Sequence, residues 1–268
     1  MACRSRILFL LLPLLATAAH AVEFSGLIRS ATGSLPAALA VEADQLGDKP
    51  VITGSVDKGR YRVELPSPGT YRLRLQAPGW EAEPKIVFDP ATTGARDFLI
   101  YPATLPEPEL AAELIRLGEQ DQELRMNWPK KPDAAFWKRM EEEDRAREAR
   151  LAQIIAEKGW PRISQVGHKA ANSAWLIAQH GTEAFLKRCL VMMKAAAADN
   201  EITPRKLALS IDRVLTYDKQ KQIYGSQFQT NEDGKTFLLP VEDIEHIEER
   251  RAGMGMEPFA EYRKNFEK

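Results

Sequence analysis

The residues of this chain best suited to chemistry lie in its C-terminal half. His180 closes a stretch that begins at Gly159 and reads GWPRISQVGHKAANSAWLIAQH. Asp212 and Arg213 are adjacent, and Tyr224 and Gln227 bracket a Tyr-Gly-Ser-Gln segment. An imidazole exchanges a proton near neutral pH. A carboxylate bonded to its far nitrogen sets the tautomer and raises the basicity. A guanidinium holds a carboxylate or phosphate through two parallel bonds. The expectation is therefore one site, with His180 as acid or base, Asp212 orienting it and Arg213 on an anionic group. Tyr224 and Gln227 would complete the polar pocket. Trp175 and Gln179 join them as ligand-binding candidates, because His168, Asn172, Trp175 and Gln179 recur at helical steps and form one stripe. The competing expectation is a polar network, satisfied internally, that ties helices to a hairpin.

Other constellations are weaker. Ser173 and Ser226 have no Gly-x-Ser-x-Gly elbow around them. Cys189 lies in the helical run Phe185 to Leu190, where a core role is favoured, since reactive thiols need an exposed electropositive niche. Glu242, Asp243, His246 and Glu249 could share a helix face, but no HExxH or Cys/His cluster accompanies them. A solvated, acidic helix start is the better reading there. No metal and no cofactor are expected.

The elements that must position these residues follow from patterning. A chain of 268 residues can hold two domains. A formal net charge of -1 gives no reason to expect a nucleic-acid partner. Arg4 and Arg6 precede an apolar run from Ile7 to Leu15, and Ala19-His20-Ala21 has a small-x-small form. This reads as a secretory signal over residues 1–21, with Val22 as the first mature residue. The apolar run is short of the ~20 residues a membrane span needs. Export to the periplasm, or secretion, is expected, with no integral span after removal. Cys3 leaves with the signal, so Cys189 would have no partner within the mature chain.

Residues 22–103 read as strands. Tyr61, Val63 and Leu65 alternate with Arg60, Arg62 and Glu64, and Tyr71, Leu73 and Leu75 with Thr70, Arg72 and Arg74. Pro66-Ser67-Pro68-Gly69 supplies a corner between them. Phe24 to Ile28, Ala37 to Ala43, Ile86 to Phe88 and Phe98 to Tyr101 are further strands, and together they predict a sandwich or small barrel. The run Gly59-Arg60-Tyr61-Arg62-Val63, Pro68-Gly69-Thr70-Tyr71, Ala77-Pro78-Gly79-Trp80 resembles the carboxypeptidase regulatory-like domains. That resemblance implies a transthyretin-like Greek-key sandwich serving as a spacer or binding module. Arg62, Arg72 and Arg74 should share the outward face of the hairpin, as a solvated face rather than a patch for anionic glycan or lipid.

Pro102 to Pro108 forms a linker, with the helical domain over 109–268. Leu110, Leu114, Leu117 and Leu124 mark a first helix, ended by Trp128-Pro129. Asp133 caps a second, whose broad face runs through Phe136, Trp137, Met140, Arg147, Leu151, Ile154 and Ile155. Glu141 to Arg150 reads as a solvated charge run. The helix ending in His180 has Ser164 as its cap and a small-residue stripe, Val166, Ala170, Ala174 and Ile177, that would let a neighbour approach closely. Further helices run from Glu183 to Ala198, from Thr203-Pro204, and from Ile244 to Arg251, with a last short one through Phe259 and Tyr262. Strands at Tyr224 to Gln229 and Thr236 to Leu239 flank the turn cluster Asn231-Glu232-Asp233-Gly234.

The pattern GWP, AWLIAQH, DR, QIYGSQ, EHIEERR, GM, P and EY resembles an uncharacterised bacterial domain family of unknown function, over roughly residues 109–268. The family carries Gln-His, Asp-Arg and a Tyr-Gly-Thr-Gln segment, matched here by Gln179, His180, Asp212, Arg213, Tyr224, Gly225 and Gln227. Ser226 departs from the family's threonine but keeps the hydroxyl. The resemblance implies no activity and no ligand. The fold class is then α+β and multidomain. Two functions stay open. One is a binding or interaction module for an unknown small molecule or envelope component. The other is a hydrolase-like enzyme using His180 with Asp212 and Arg213. Binding is preferred, because no complete catalytic constellation can be assembled.

Overall fold

The computed structural model describes residues 21–30, 33–45, 50–82, 86–91, 96–127, 129, 132–231 and 234–266. The segment through residue 20 that was expected to be a signal, Trp128 of the first helix stop, and Glu232-Asp233 of the turn cluster lie outside the described residues.

Alternating burial builds the N-terminal region. β1 (Val22–Ser30) is the centre of a five-stranded sheet with β4 (Ser55–Asp57), β5 (Arg60–Leu65), β7 (Trp80–Glu81) and β9 (Phe98–Pro102). It pairs β5 antiparallel and β9 parallel. β2 (Ala40–Gln45), β3 (Ile52–Thr53), β6 (Tyr71–Gln76) and β8 (Ile86–Phe88) form a second sheet. Phe24, Tyr61, Val63 and Leu65 of the first sheet meet Val41, Tyr71, Leu73 and Phe88 of the second in one core. Phe24 and Phe88 stack across it at 4.0 Å. Period-two alternation therefore puts every other side chain between two sheets.

One expectation needs correction. β5 and β6 are not a hairpin, because the Pro66–Gly69 corner carries the chain from one sheet to the other. Arg62 pairs with Glu23, while Arg72 and Arg74 both pair with Asp44 on β2. Arg62 therefore lies on a different sheet from Arg72 and Arg74, and all three are already met by carboxylates. Alternation reports which side of a strand is buried; it does not report the neighbouring strand.

The helical region packs around α3 (Ile163–His180). α1 (Pro108–Met126) lies against it, with α2 (Ala134–Lys158), α4 (Glu183–Ala198) and α5 (Pro204–Tyr217) around the same core. α1 approaches α3 closely at Ser173, a position outside the small-residue stripe. Gly118 of α1 sits directly over Ser173, and a methyl group there would overlap the serine side chain and approach its backbone. Gly118→Ala is expected to lose about 1–3 kcal/mol in a urea unfolding measurement, the cost of overpacking, rather than gain helix propensity. An unchanged or raised stability would show that the two helices can separate freely.

α3 itself is interrupted. Gly167 is non-helical, at φ 78 and ψ 165. The His168 N–H that this break frees donates to the carboxylate of Glu81, on β7, at 3.0 Å. A carboxylate from the sandwich thus caps the segment that ends in His180. Ser164 is not the cap expected of it. Its N–H and hydroxyl donate to Glu201 at 2.9 and 2.6 Å, and Arg162 occupies the cap position. The two regions are also joined by the Tyr101 hydroxyl, which donates to the Asn200 carbonyl at 2.6 Å, and Tyr101 belongs to the helical core. Beyond α5 come β10 (Phe228–Thr230) and β11 (Thr236–Leu238), then α6 (Ile247–Gly253) and α7 (Phe259–Arg263). No helix among the described residues is long and apolar enough to cross a membrane.

Candidate functional site

A cavity of about 510 Å³ opens between α3, α5, the β10–β11 hairpin and α7. Trp175, Gln179, His180, Arg213 and Gln227 all line it, with Tyr262 from α7. Five of the seven predicted residues therefore converge. Each is placed by a bond to a neighbouring element. The Trp175 indole donates to Ser210 Oγ at 3.0 Å, and the Gln179 amide donates to the same oxygen at 2.5 Å. Arg213 reaches back from α5 and donates to the Gln179 carbonyl at 2.7 Å and to Gln227 Oε1 at 3.1 Å. Its own pKa is drawn below the ordinary value by burial, yet a guanidinium keeps its charge in proteins.

The other two residues do different work. Asp212 does not orient His180. It is fully buried, and it accepts from the backbone N–H groups of Ile223, Tyr224 and Ser226 at 2.8 to 3.2 Å and from the Ser226 hydroxyl at 2.8 Å. The aspartate is the knot that holds the 222–227 loop to α5. The hydroxyl that Ser226 shares with threonine is part of that knot. Tyr224 lies outside the cavity lining; its carbonyl accepts from the buried Arg251 at 2.7 Å. Tyr224 was expected on a strand, but the β10–β11 ladder begins at Phe228, because Asp212 takes up the N–H groups of Ile223, Tyr224 and Ser226.

The partner of His180 is Asp121, on α1. Both Asp121 oxygens lie 2.9 to 3.0 Å from His180 Nδ1. Asp121 is fully buried, and Arg125 donates to it at 2.8 Å. Arg125 and Arg147 both continue to Asp144 at 2.8 Å. Burial by itself would raise the Asp121 pKa, but the bond to His180 and the nearby positive charges outweigh it and hold the carboxyl below its usual value. An ionised carboxylate only accepts, so Nδ1 carries the hydrogen and Nε2 is the exchangeable nitrogen. Among the described residues nothing bonds Nε2. His180 also borders a second cavity of about 310 Å³ on its α2 side, lined by Trp137, Met140, Asp144 and Glu148.

Asp121 carried a signal in the sequence. It falls on the same helical steps as Leu110, Leu114, Leu117 and Leu124, so it is a carboxylate on a buried stripe. Arg147 likewise sits on the apolar face of α2, and is 5% exposed rather than part of a solvated run. Cys189 is buried, and burial pushes its thiol up to about 12, which leaves it inert at neutral pH. Asp243 bonds His246 Nδ1 at 2.9 Å on the surface, and no three metal-ligating groups converge among the described residues.

Comparison with curated proteins yields no match, and comparison with solved structures yields none. One family model does match, over residues 108–268, which is more than half of the chain and includes every residue of the cavity. The chain belongs to DUF6624, a family of unknown function.

Proposed function

We propose that the helical region binds a small molecule through an anionic group, in the cavity lined by Arg213, His180, Gln179 and Gln227. The observation that carries this reading is the charge state of Arg213. Among the described residues no carboxylate lies within ion-pair distance of it, and its contacts are a neutral amide and a backbone carbonyl. A largely buried charge without a partner is costly. A ligand carboxylate or phosphate would offset that cost with two charge-assisted bonds. The aromatic side of the cavity, where Phe228 and Phe266 stack at 4.3 Å, suits an apolar body behind the anionic head.

The wider setting belongs to the same proposal. The Arg4, Arg6 and Ile7 to Leu15 pattern supports export to the cell envelope. The two-sheet N-terminal region, with its carboxypeptidase regulatory-like cadence, would then position the cavity there. A second reading, a hydrolase-like enzyme, is favoured by the His180–Asp121 pair, with Asp121 in the orienting role first given to Asp212. Binding is the primary reading because, among the described residues, the hydroxyls of this cavity are engaged elsewhere: Ser226 donates to Asp212, Thr230 and Thr236 bond each other, and the Tyr262 phenol donates to the Ser226 carbonyl.

The test is calorimetric titration with benzoate and phenyl phosphate, on the full chain and on Arg213→Gln. Binding by the parent and a loss of about 10- to 100-fold in the variant are expected, the worth of a charge-assisted bond. A thermal melt checks that the variant folds. Equal affinity in both proteins, or no binding by the parent, would discard the reading.

A further inference from the structure

We infer that the ligand of this cavity is a monoanion and that it binds together with one proton, which resides between its head group and His180 Nε2. This rests on the binding reading above and adds the charge and protonation of what is bound.

The argument is one of charge and donors. On the α1 side, His180 faces Asp121 and Arg125. On the α2 side it shares a cavity with Asp144, to which Arg147 donates, with Glu143 bonded to Arg147 at 3.2 Å. Glu148, also on α2, is satisfied by the Thr182 N–H and hydroxyl, with Arg145 at 3.9 Å. Glu141 is open to water and pairs with Arg145 at 3.7 Å. Glu183, at the start of α4, pairs with Lys187. From α5 comes Arg213, and from α7 the Tyr262 phenol, whose pKa burial raises, so it stays neutral. Among the described residues the connected network behind His180 holds three carboxylates, Asp121, Asp144 and Glu143, against two guanidiniums, Arg125 and Arg147. It is one negative charge in excess. Arg213 supplies one positive charge on the cavity side. With a neutral imidazole the empty site is balanced.

A bound monoanion would leave that site one charge negative. Neutral His180 would also present an acceptor, the Nε2 lone pair, toward the anionic head. One proton at Nε2 corrects both faults. It restores neutrality and converts the repelling acceptor into a donor. Asp121, held ionised, stabilises the resulting imidazolium from the opposite side of the ring. A dianion would need a second proton or a second fixed cation, and among the described residues the cavity lining contains neither a lysine nor another arginine.

The experiment is calorimetry of benzoate binding to the full chain at pH 7.5, in buffers of different ionisation enthalpy, with phenyl phosphate as the dianionic comparison. The heats should report uptake of close to one proton per benzoate, and benzoate should bind more tightly than phenyl phosphate. On adding benzoate, the imidazole nitrogen spectrum of the parent protein should show Nε2 of His180 passing from acceptor to protonated form. That reading needs no variant. His180→Gln, if folded, should bind benzoate more weakly and with no proton uptake. Benzoate binding without proton uptake, or tighter binding of phenyl phosphate, overturns this inference and leaves the anion site standing. Absence of binding by both probes overturns both.

Discussion

Asp212→Ala should be among the most damaging single substitutions in this protein, with an expected loss of about 3–5 kcal/mol, the usual cost of breaking a buried charge network. The buried carboxylate accepts from three backbone N–H groups and one hydroxyl, and no other described group stands ready to replace it. Each unsatisfied buried donor costs about 1–3 kcal/mol. The 222–227 loop would come away from α5. Gln222 spans that loop, donating to the Gln227 and Leu239 carbonyls at 2.9 and 2.8 Å, so the hairpin would lose its register as well. Asp212→Asn should also destabilise, because its amide group sets a donor against a donor. Urea unfolding of both variants measures this directly. A loss below about 1 kcal/mol in the alanine variant would mean that the loop is held by something other than Asp212, and the aspartate would return as a candidate for the chemistry itself.

Acidification should weaken the fold well above the range where carboxylates titrate, and His168 should be the cause. Its ring packs edge-on against Tyr101 at 5.8 Å, and its Nε2 is buried with no hydrogen-bond partner among the described residues. Burial, with a smaller contribution from Lys206, lowers its pKa to about 4. In the unfolded chain a histidine titrates near 6.5. Above that pH both states are neutral and the stability is fully present. As pH falls below about 6.5 the unfolded chain takes up a proton that the native protein refuses, and stability declines until the native ring titrates near 4. The whole loss is about 2–3 kcal/mol, after allowing for the partial solvent contact of the ring. Asp121 adds a further loss at lower pH, since its depressed pKa stabilises the fold only while the carboxyl is ionised. Urea midpoints at pH 7.5, 5.5 and 4.5 for the parent and His168→Gln provide the comparison. The variant should have the flatter profile between pH 6.5 and 4. Parallel profiles would assign the acid sensitivity elsewhere. His168 stands where Glu81 caps α3 and where Tyr101 crosses from the sandwich, so its protonation would strain the junction between the two regions first.

Much of the architecture was legible before any coordinates. The change from period two to helical period near residue 105 separated the regions. Thr203-Pro204 marked the start of α5, and Glu183 to Ala198 coincides with α4. Of the residues proposed for one site, Trp175, Gln179, His180, Arg213 and Gln227 line one cavity, while Asp212 and Tyr224 do not. The signals that mark the elements are local properties. Periodicity, caps and turn residues act within a few positions of the chain, so they can be read from it.

What escaped was partnership. The alternation of β5 and β6 was correct, yet it could not say that they belong to different sheets. His180 needed a carboxylate, and Asp212 was the obvious choice; the partner is Asp121, 59 positions away on α1. Glu81 caps a helix 87 positions later, across the junction of the two regions. A bond of that kind depends on how whole elements pack. Only the closed chain determines which of several suitable carboxylates arrives within 3 Å of a given donor, and that choice converted Asp212 from a catalytic candidate into the anchor of a loop.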